Sequence, residues 1–145
     1  MEQVIAVSAC LLGFHCRYDG ASNMDVNLIK KLKGKRVIPI CPEQLGGLST
    51  PRIPSEIMED GETVYDKEGH DVTAYFERGK KATLVILQSE GCKHAILKDG
   101  SPSCGYKTIH DGSFTGKLIP GEGITCKYLK ANGISIIDVT EEGEL

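Results

Sequence analysis

The sequence predicts an α/β fold: a small Rossmann-like three-layer domain built on a mostly parallel sheet of about four strands. Three observations carry this expectation. Four short apolar runs, at residues 4–7, 37–40, 94–98 and 134–138, alternate with segments that have helical periodicity. The first run, Val4-Ile5-Ala6-Val7, is continuous and β-branched, as suits a strand buried on both faces. The long, glycine-rich connections follow the strand C-terminal ends, where open α/β sheets place their ligands. Such alternation implies parallel strands joined by right-handed crossovers.

The elements follow in order. After the first strand, Asn23 or Asp25 can cap a helix reaching about Leu32, with Val26, Leu28, Ile29 and Leu32 on its apolar side and Gly34 at its C-terminal stop. The second strand, 37–40, contains Pro39, which donates no hydrogen bond and counts against it. Residues 42–69 are rich in Pro, Gly and acid and read as a functional loop or lid, with a small hairpin near Val64. Residues 83–87 have strand propensity. The wider spacing of Val72, Tyr75, Phe76, Gly79, Ala82, Val85 and Ile86 instead predicts a helix over 72–89, capped by Asp71 and stopped by Gly91. The third strand is 94–98, a second irregular stretch spans 99–120, and a helix over 122–131 ends at Gly133. The fourth strand and an acidic tail close the chain, which reads as a single domain over residues 1–145.

Composition narrows the function. The net charge is −3, and no Lys/Arg block forms the basic stripe that a nucleic-acid polymer demands. Tryptophan is absent, and 5 Tyr with 3 Phe make a poor platform for stacking successive bases. No stretch approaches the roughly 20 apolar residues of a membrane span. Met1-Glu2-Gln3 lacks the basic region of a signal peptide. A cytoplasmic protein with a small-molecule substrate and reduced thiols is expected; six cysteines as three disulfides is the lesser alternative.

Cys10, Cys41 and Cys104 lie where the first three apolar runs end, so a parallel sheet would bring all three thiols to one edge. Each alone can be a small buried hydrophobe; equivalent placement of three points to a metal or cluster. No C-x-x-C pair supports a zinc finger or ribbon, and the closely spaced ferredoxin run is missing. Three dispersed cysteines can still hold three irons of a 4Fe–4S cluster and leave the fourth iron open, and soft sulfur favours iron–sulfur or zinc over magnesium. Cys92 and Cys126 read as structural. Cys16 is either a fourth ligand or a neighbouring thiol. The four histidines (15, 70, 94 and 110) show no ligand spacing.

Glu43, two residues after Cys41, is a candidate general acid or base, or a turn glutamate. Arg52 lies in a proline-stiffened turn with Glu56; it either holds a planar polar ligand or pins the loop. Arg17 and Asp19 either pair with each other or contact substrate. Ser101, Ser103 and Gly105 flank Cys104 and can donate hydrogen bonds to sulfur or substrate. No G-x-G-x-x-G, P-loop lysine or G-x-S-x-G is present.

Taken together, SACLLG and CRYDG (8–20), CPEQLGGLSTPRIPSE (41–56), DVTAYFERG (71–79), AILKDGSPSCG (95–105) and PGEGITCKYLKANGI (120–134) resemble the TudS-like thiouracil desulfurase family over nearly the whole chain. The resemblance implies a 4Fe–4S cluster with one open iron, held by Cys10, Cys41 and Cys104, and non-redox removal of sulfur from a thiolated pyrimidine such as 2-thiouracil. It implies that Glu43 activates water and that Ser101 orients substrate or moves a proton. Arg17, Asp19, Arg52 and Ser103 are the substrate-binding candidates, and iron–sulfur assembly machinery is the implied maturation partner. Cys16 stays outside the ligand set, and Asp99-Gly100 departs from the charged pair expected before SPSCG. Two alternatives stand beside this reading: a non-catalytic zinc or iron–sulfur module, and a thiol–disulfide redox protein using Cys10 and Cys16.

Overall fold

A computed structural model describes residues 3–139. In chain order the elements are β1 (Val4–Ser8), a 3₁₀ turn (Ala9–Leu12), α1 (Val26–Lys31), β2 (Arg36–Ile40), α2 (Pro42–Leu45), β3 (Ser55–Ile57), β4 (Val64–Asp66), α3 (Thr73–Ser89), β5 (His94–Ile96), β6 (Thr108–His110), β7 (Leu118–Pro120), α4 (Ile124–Ala131) and β8 (Ser135–Ile136). The four expected strands form one parallel sheet in the order β2-β1-β5-β8, with Val4 opposite Arg36, Val7 opposite Ile96 and His94 opposite Ser135.

The period-two alternation of the strands sets the layers. Ala6, Ala95 and Leu97 pack with Leu84 and Leu87 of α3 and Leu129 of α4. Ile5, Val7 and Ile96 pack with Leu28 and Leu32 at α1. Each such aliphatic side chain, fully buried, contributes about 1.5–3 kcal/mol. A third apolar cluster, of Ile57, Val64, Phe76, Ile109 and Ile124, mounts two antiparallel hairpins, β3–β4 and β6–β7, on α3 and the start of α4. Among the described residues, no helix is long and apolar enough to cross a membrane.

Several local expectations hold. Asp25, not Asn23, caps α1, its Oδ1 accepting the Leu28 N–H at 3.0 Å. Pro39 lies inside β2 because β2 is an edge strand, where a missing donor breaks no interior ladder. The strand propensity of 83–87 yields to the helical period, since Thr83, Leu84 and Leu87 bury along α3; Asp71 accepts the Thr73 N–H at 2.9 Å as that helix begins. The hairpin near Val64 is β3–β4.

Others are corrected. The stretch 99–120 is not irregular throughout, because β6–β7 occupies its second half; three-residue strands carry too little alternation to register in a sequence pattern. α4 starts at Ile124 rather than 122, where the carbonyls of Pro102 and Ser103 accept the Ile124, Thr125 and Cys126 N–H groups. The fourth strand shortens to Ser135–Ile136. The acidic tail after residue 139 lies outside the described residues.

One close approach fixes the position of α2. A Cβ on Gly46 would lie 2.0 Å from the Tyr75 carbonyl oxygen, and one on Gly79 would lie 2.1 Å from that of Pro42. Only glycine at both places lets α2 and α3 touch backbone to backbone.

Candidate functional site

Because the sheet is parallel, β1, β2 and β5 all end on the same side of the molecule. Cys10 follows β1 in the 3₁₀ turn, Cys41 is the N-cap residue of α2 after β2, and Cys104 lies in the turn beyond β5. All three line one cavity of about 590 Å³, together with Cys16, Glu43, Arg17, Arg52, Ser101 and Ser103. The volume falls within the range of small-molecule sites.

Burial raises three of the thiols here, those of Cys10, Cys16 and Cys104, above the ordinary thiol value. Burial pushes Cys10 up, against a hydrogen bond from Asn23. Burial raises Cys104 strongly, and the Ser8 and Ser103 hydroxyls oppose that rise. Cys16 is pushed up to about 12, first by burial and then by Cys41 and Cys10 beside it. Its carbonyl accepts the Cys41 thiol at 3.9 Å. Ser8 ties the arrangement together: its hydroxyl accepts the Lys98 N–H at 2.9 Å while bonding Cys104.

These sulfurs suit a cluster. They are soft donors, all six cysteines are free, and Ser8, Ser103 and Asn23 supply the hydrogen bonds that tune ligating sulfur. Among the described residues no three His, Cys, Asp or Glu side chains converge on a point as ligands of a single ion.

Beside the thiols lies a polar constellation drawn from three loops. Glu43, in the first turn of α2, meets Arg52 Nε through Oε1 at 3.2 Å, with the two side chains 14% and 7% exposed. Its Oε2 accepts Ser103 Oγ at 2.8 Å and Ser101 Oγ at 3.4 Å. Ser101 Oγ also accepts the N–H groups of Ser103 and Cys104, each at 3.1 Å, which shapes the turn carrying Cys104.

Arg52 makes the bonds that pin the loop while also lining the cavity. Besides Glu43 it donates to the Ser49 carbonyl at 3.2 Å, Thr50 Oγ1 at 2.9 Å and the Cys16 carbonyl at 2.9 Å. Arg17 and Asp19 pair at 3.2 Å, and Arg17 also donates to Asn23 at 3.0 Å. Arg17 lines the cavity; Asp19 is not among the lining residues. Cys92 and Cys126 are packed in the core and are not among the residues that line the cavity, and burial pushes Cys126 up to about 12.

Sequence reasoning missed one part of the lining. The β6–β7 hairpin contributes Thr108, His110, Phe114 and Leu118 to the cavity. The available signal was the pair Ile109 and Ile119, which face each other across the hairpin. Asp99 holds that hairpin to the Cys104 loop. Its carboxylate accepts the N–H groups of Tyr106, Lys107 and Thr108 and the Thr108 hydroxyl, all within 3.0 Å. Burial works to raise this carboxyl, but those bonds outweigh it and hold it below the ordinary value. Asp99 thus has its own structural work at the position where the sequence departs from the expected pair.

Known proteins resemble this chain over nearly its whole length. A solved structure described as a [4Fe–4S]-dependent thiouracil desulfidase, TudS, superposes with a TM-score of 0.88 at 43% identity, covering 97% of this chain and 92% of its own. A Bacillus subtilis (strain 168) relative described as the uncharacterized protein YbbK is 38% identical over 98% of this chain and 99% of its own length. A family model described as 2-thiouracil desulfurase matches residues 5–141, a span that takes in all of the sheet but Val4 of β1, all six cysteines and both hairpins. The chain therefore belongs to the 2-thiouracil desulfurase family.

Proposed function

We propose that this protein removes sulfur from a thiolated pyrimidine such as 2-thiouracil, without net redox change, at a 4Fe–4S cluster with one open iron held by Cys10, Cys41 and Cys104. The observation that carries the reading is the meeting, in one cavity, of three strand-end thiols with a carboxylate bonded to Ser103 and Arg52. When bound, the cluster supplies a Lewis-acidic iron that polarises a thiocarbonyl. The chain's own residues do the rest. Glu43, oriented by Arg52 and Ser103, takes a proton from the water that attacks the ring carbon. Ser101 and Ser103 hold Glu43 Oε2 and return a proton as sulfur departs. The balance is C=S plus water giving C=O plus hydrogen sulfide, so no electron acceptor is needed. Arg17 is the substrate contact at the cavity wall, and Asp19 acts on it through their ion pair.

Free thiols in every position suit a cytoplasmic setting in which assembly machinery delivers the cluster to the reduced protein. A redox thiol pair has one observation in its favour, the nearness of Cys16 to Cys41 and Cys10. The raised thiol pKa weighs against it, because exchange runs through the thiolate. The test is anaerobic reconstitution with iron and sulfide, then assay of uracil and sulfide from 2-thiouracil, with cluster-free protein as control. Turnover only in the reconstituted protein is expected. Sulfide release that is independent of iron, or a stable cluster with no turnover of any thiopyrimidine, would refute it.

A further inference from the structure

One residue of the cavity lining belongs to none of the three apolar clusters and has no part in the chemistry above. Phe114 has a φ of 59°, the single positive value at a non-glycine position among the described residues. A bulky side chain there costs backbone energy that glycine or asparagine would avoid. Nor is the side chain a core anchor: Phe114 is only half-buried. The conformation is nevertheless tied down. Glu56, a carboxylate only 8% exposed on β3, accepts the Phe114 N–H at 3.1 Å and the Gly112 N–H at 2.9 Å. A Cβ on Gly112 would lie 2.8 Å from the Ile57 carbonyl oxygen, so the loop is seated directly on β3. A buried acid from one hairpin thus fixes a half-buried aromatic residue on the other, and that residue lines the same cavity as the thiols and Glu43. An outlier held this firmly at a site is an argument for function.

We infer that Phe114 is a specificity-determining residue: its ring stacks on the flat face of the substrate and selects heteroaromatic thiones over open-chain thioureas. This rests on the desulfurase reading and deepens it. A pyrimidine has a π-face for the ring to cover, whereas N,N′-dimethylthiourea offers the same N–C(=S)–N unit without one. Glu43 and the serines address the reacting atoms in either compound; only the ring distinguishes them.

The test compares native protein, Phe114→Ala and Phe114→Tyr, each reconstituted and matched for iron content and circular dichroism. Uracil, the desulfurated product, is titrated calorimetrically, and sulfide release is measured from 2-thiouracil and from N,N′-dimethylthiourea. Phe114→Ala is expected to weaken uracil binding and to lower the preference for 2-thiouracil about 5- to 100-fold, the range of a lost base–aromatic stack. The loss falls on KM more than on kcat, and Phe114→Tyr restores it. Equal uracil affinity and equal preference in native and Phe114→Ala protein overturn the inference while leaving the desulfurase reading standing. Uracil binding that weakens in Phe114→Ala, in a protein that releases no sulfide, upholds the stacking role and refutes the desulfurase reading. Absence of uracil binding to native protein overturns the inference.

Discussion

Ser103 is nearly buried and touches two kinds of chemistry at once: its hydroxyl lies 2.8 Å from Glu43 Oε2 and 3.8 Å from Cys104 Sγ. Removing it separates the acid–base role from the ligand role. Ser103→Ala is expected to keep its iron and lose turnover roughly 10- to 100-fold, the scale of one hydrogen bond to a charged group. Glu43→Gln, which keeps the shape but not the base, is expected to retain the cluster and lose roughly 10²–10⁴ in kcat. Serine replacements at Cys10, Cys41 or Cys104 should each abolish cluster retention, measured as iron per chain and visible absorbance. The same change at Cys92 or Cys126, both in the core, should leave iron content intact. A full cluster in any of the first three variants would refute the ligand assignment.

At the scale of elements, the crossing of α2 with α3 is the tightest constraint near the site. By helix propensity alone, Gly79→Ala would stabilise α3 by about 1 kcal/mol. With its Cβ 2.1 Å from the Pro42 carbonyl oxygen, the opposite is expected. A loss of about 1–3 kcal/mol is typical of overpacking, and α2 must shift with Cys41 at its cap. Thermal melts and iron content read both effects; a variant more stable than native would show that the two helices can part freely. The Asp99 clamp makes a prediction about pH. Its folded pKa is depressed, so its contribution is fully present above the ordinary carboxylate value near 3.9 and is lost as pH falls through the lower folded value. The stability difference between native and Asp99→Asn, measured as urea midpoints, should be constant from about pH 7 to 5 and close below about pH 4. A difference that widens in acid would reverse the sign of the argument.

At the scale of the whole molecule, the three apolar clusters are built mainly from aliphatic side chains of the sheet, the helices and the hairpins. Removing the cluster is therefore expected to lower Tm, since a ligand that binds only the folded chain stabilises it, while leaving far-UV circular dichroism unchanged. Loss of the helical signal on iron removal would show that the fold depends on the site. The same apolar pattern explains what could be read from sequence. The strands at Val4–Ser8 and Arg36–Ile40 were legible as apolar runs, and their ends located Cys10 and Cys41. α3 was legible because seventeen residues of period outweigh five of strand propensity. The bonds of Arg52 were not, because one partner, the Cys16 carbonyl, lies 36 positions away. Nor was Phe114, which depends on a carboxylate 58 positions away in another hairpin. Local pattern carries local structure; contacts across such distances exist only once the chain has folded.

The proline within β2 has a consequence for self-association. β2 borders the sheet, and an uncovered border invites a strand from a second molecule. Pro39 lies one residue before the end of that strand and two before Cys41, so an incoming chain finds no amide donor there. A freshly made chain must pass some time with its thiols uncapped, and a proline beside Cys41 removes a route by which two such chains could join while they wait.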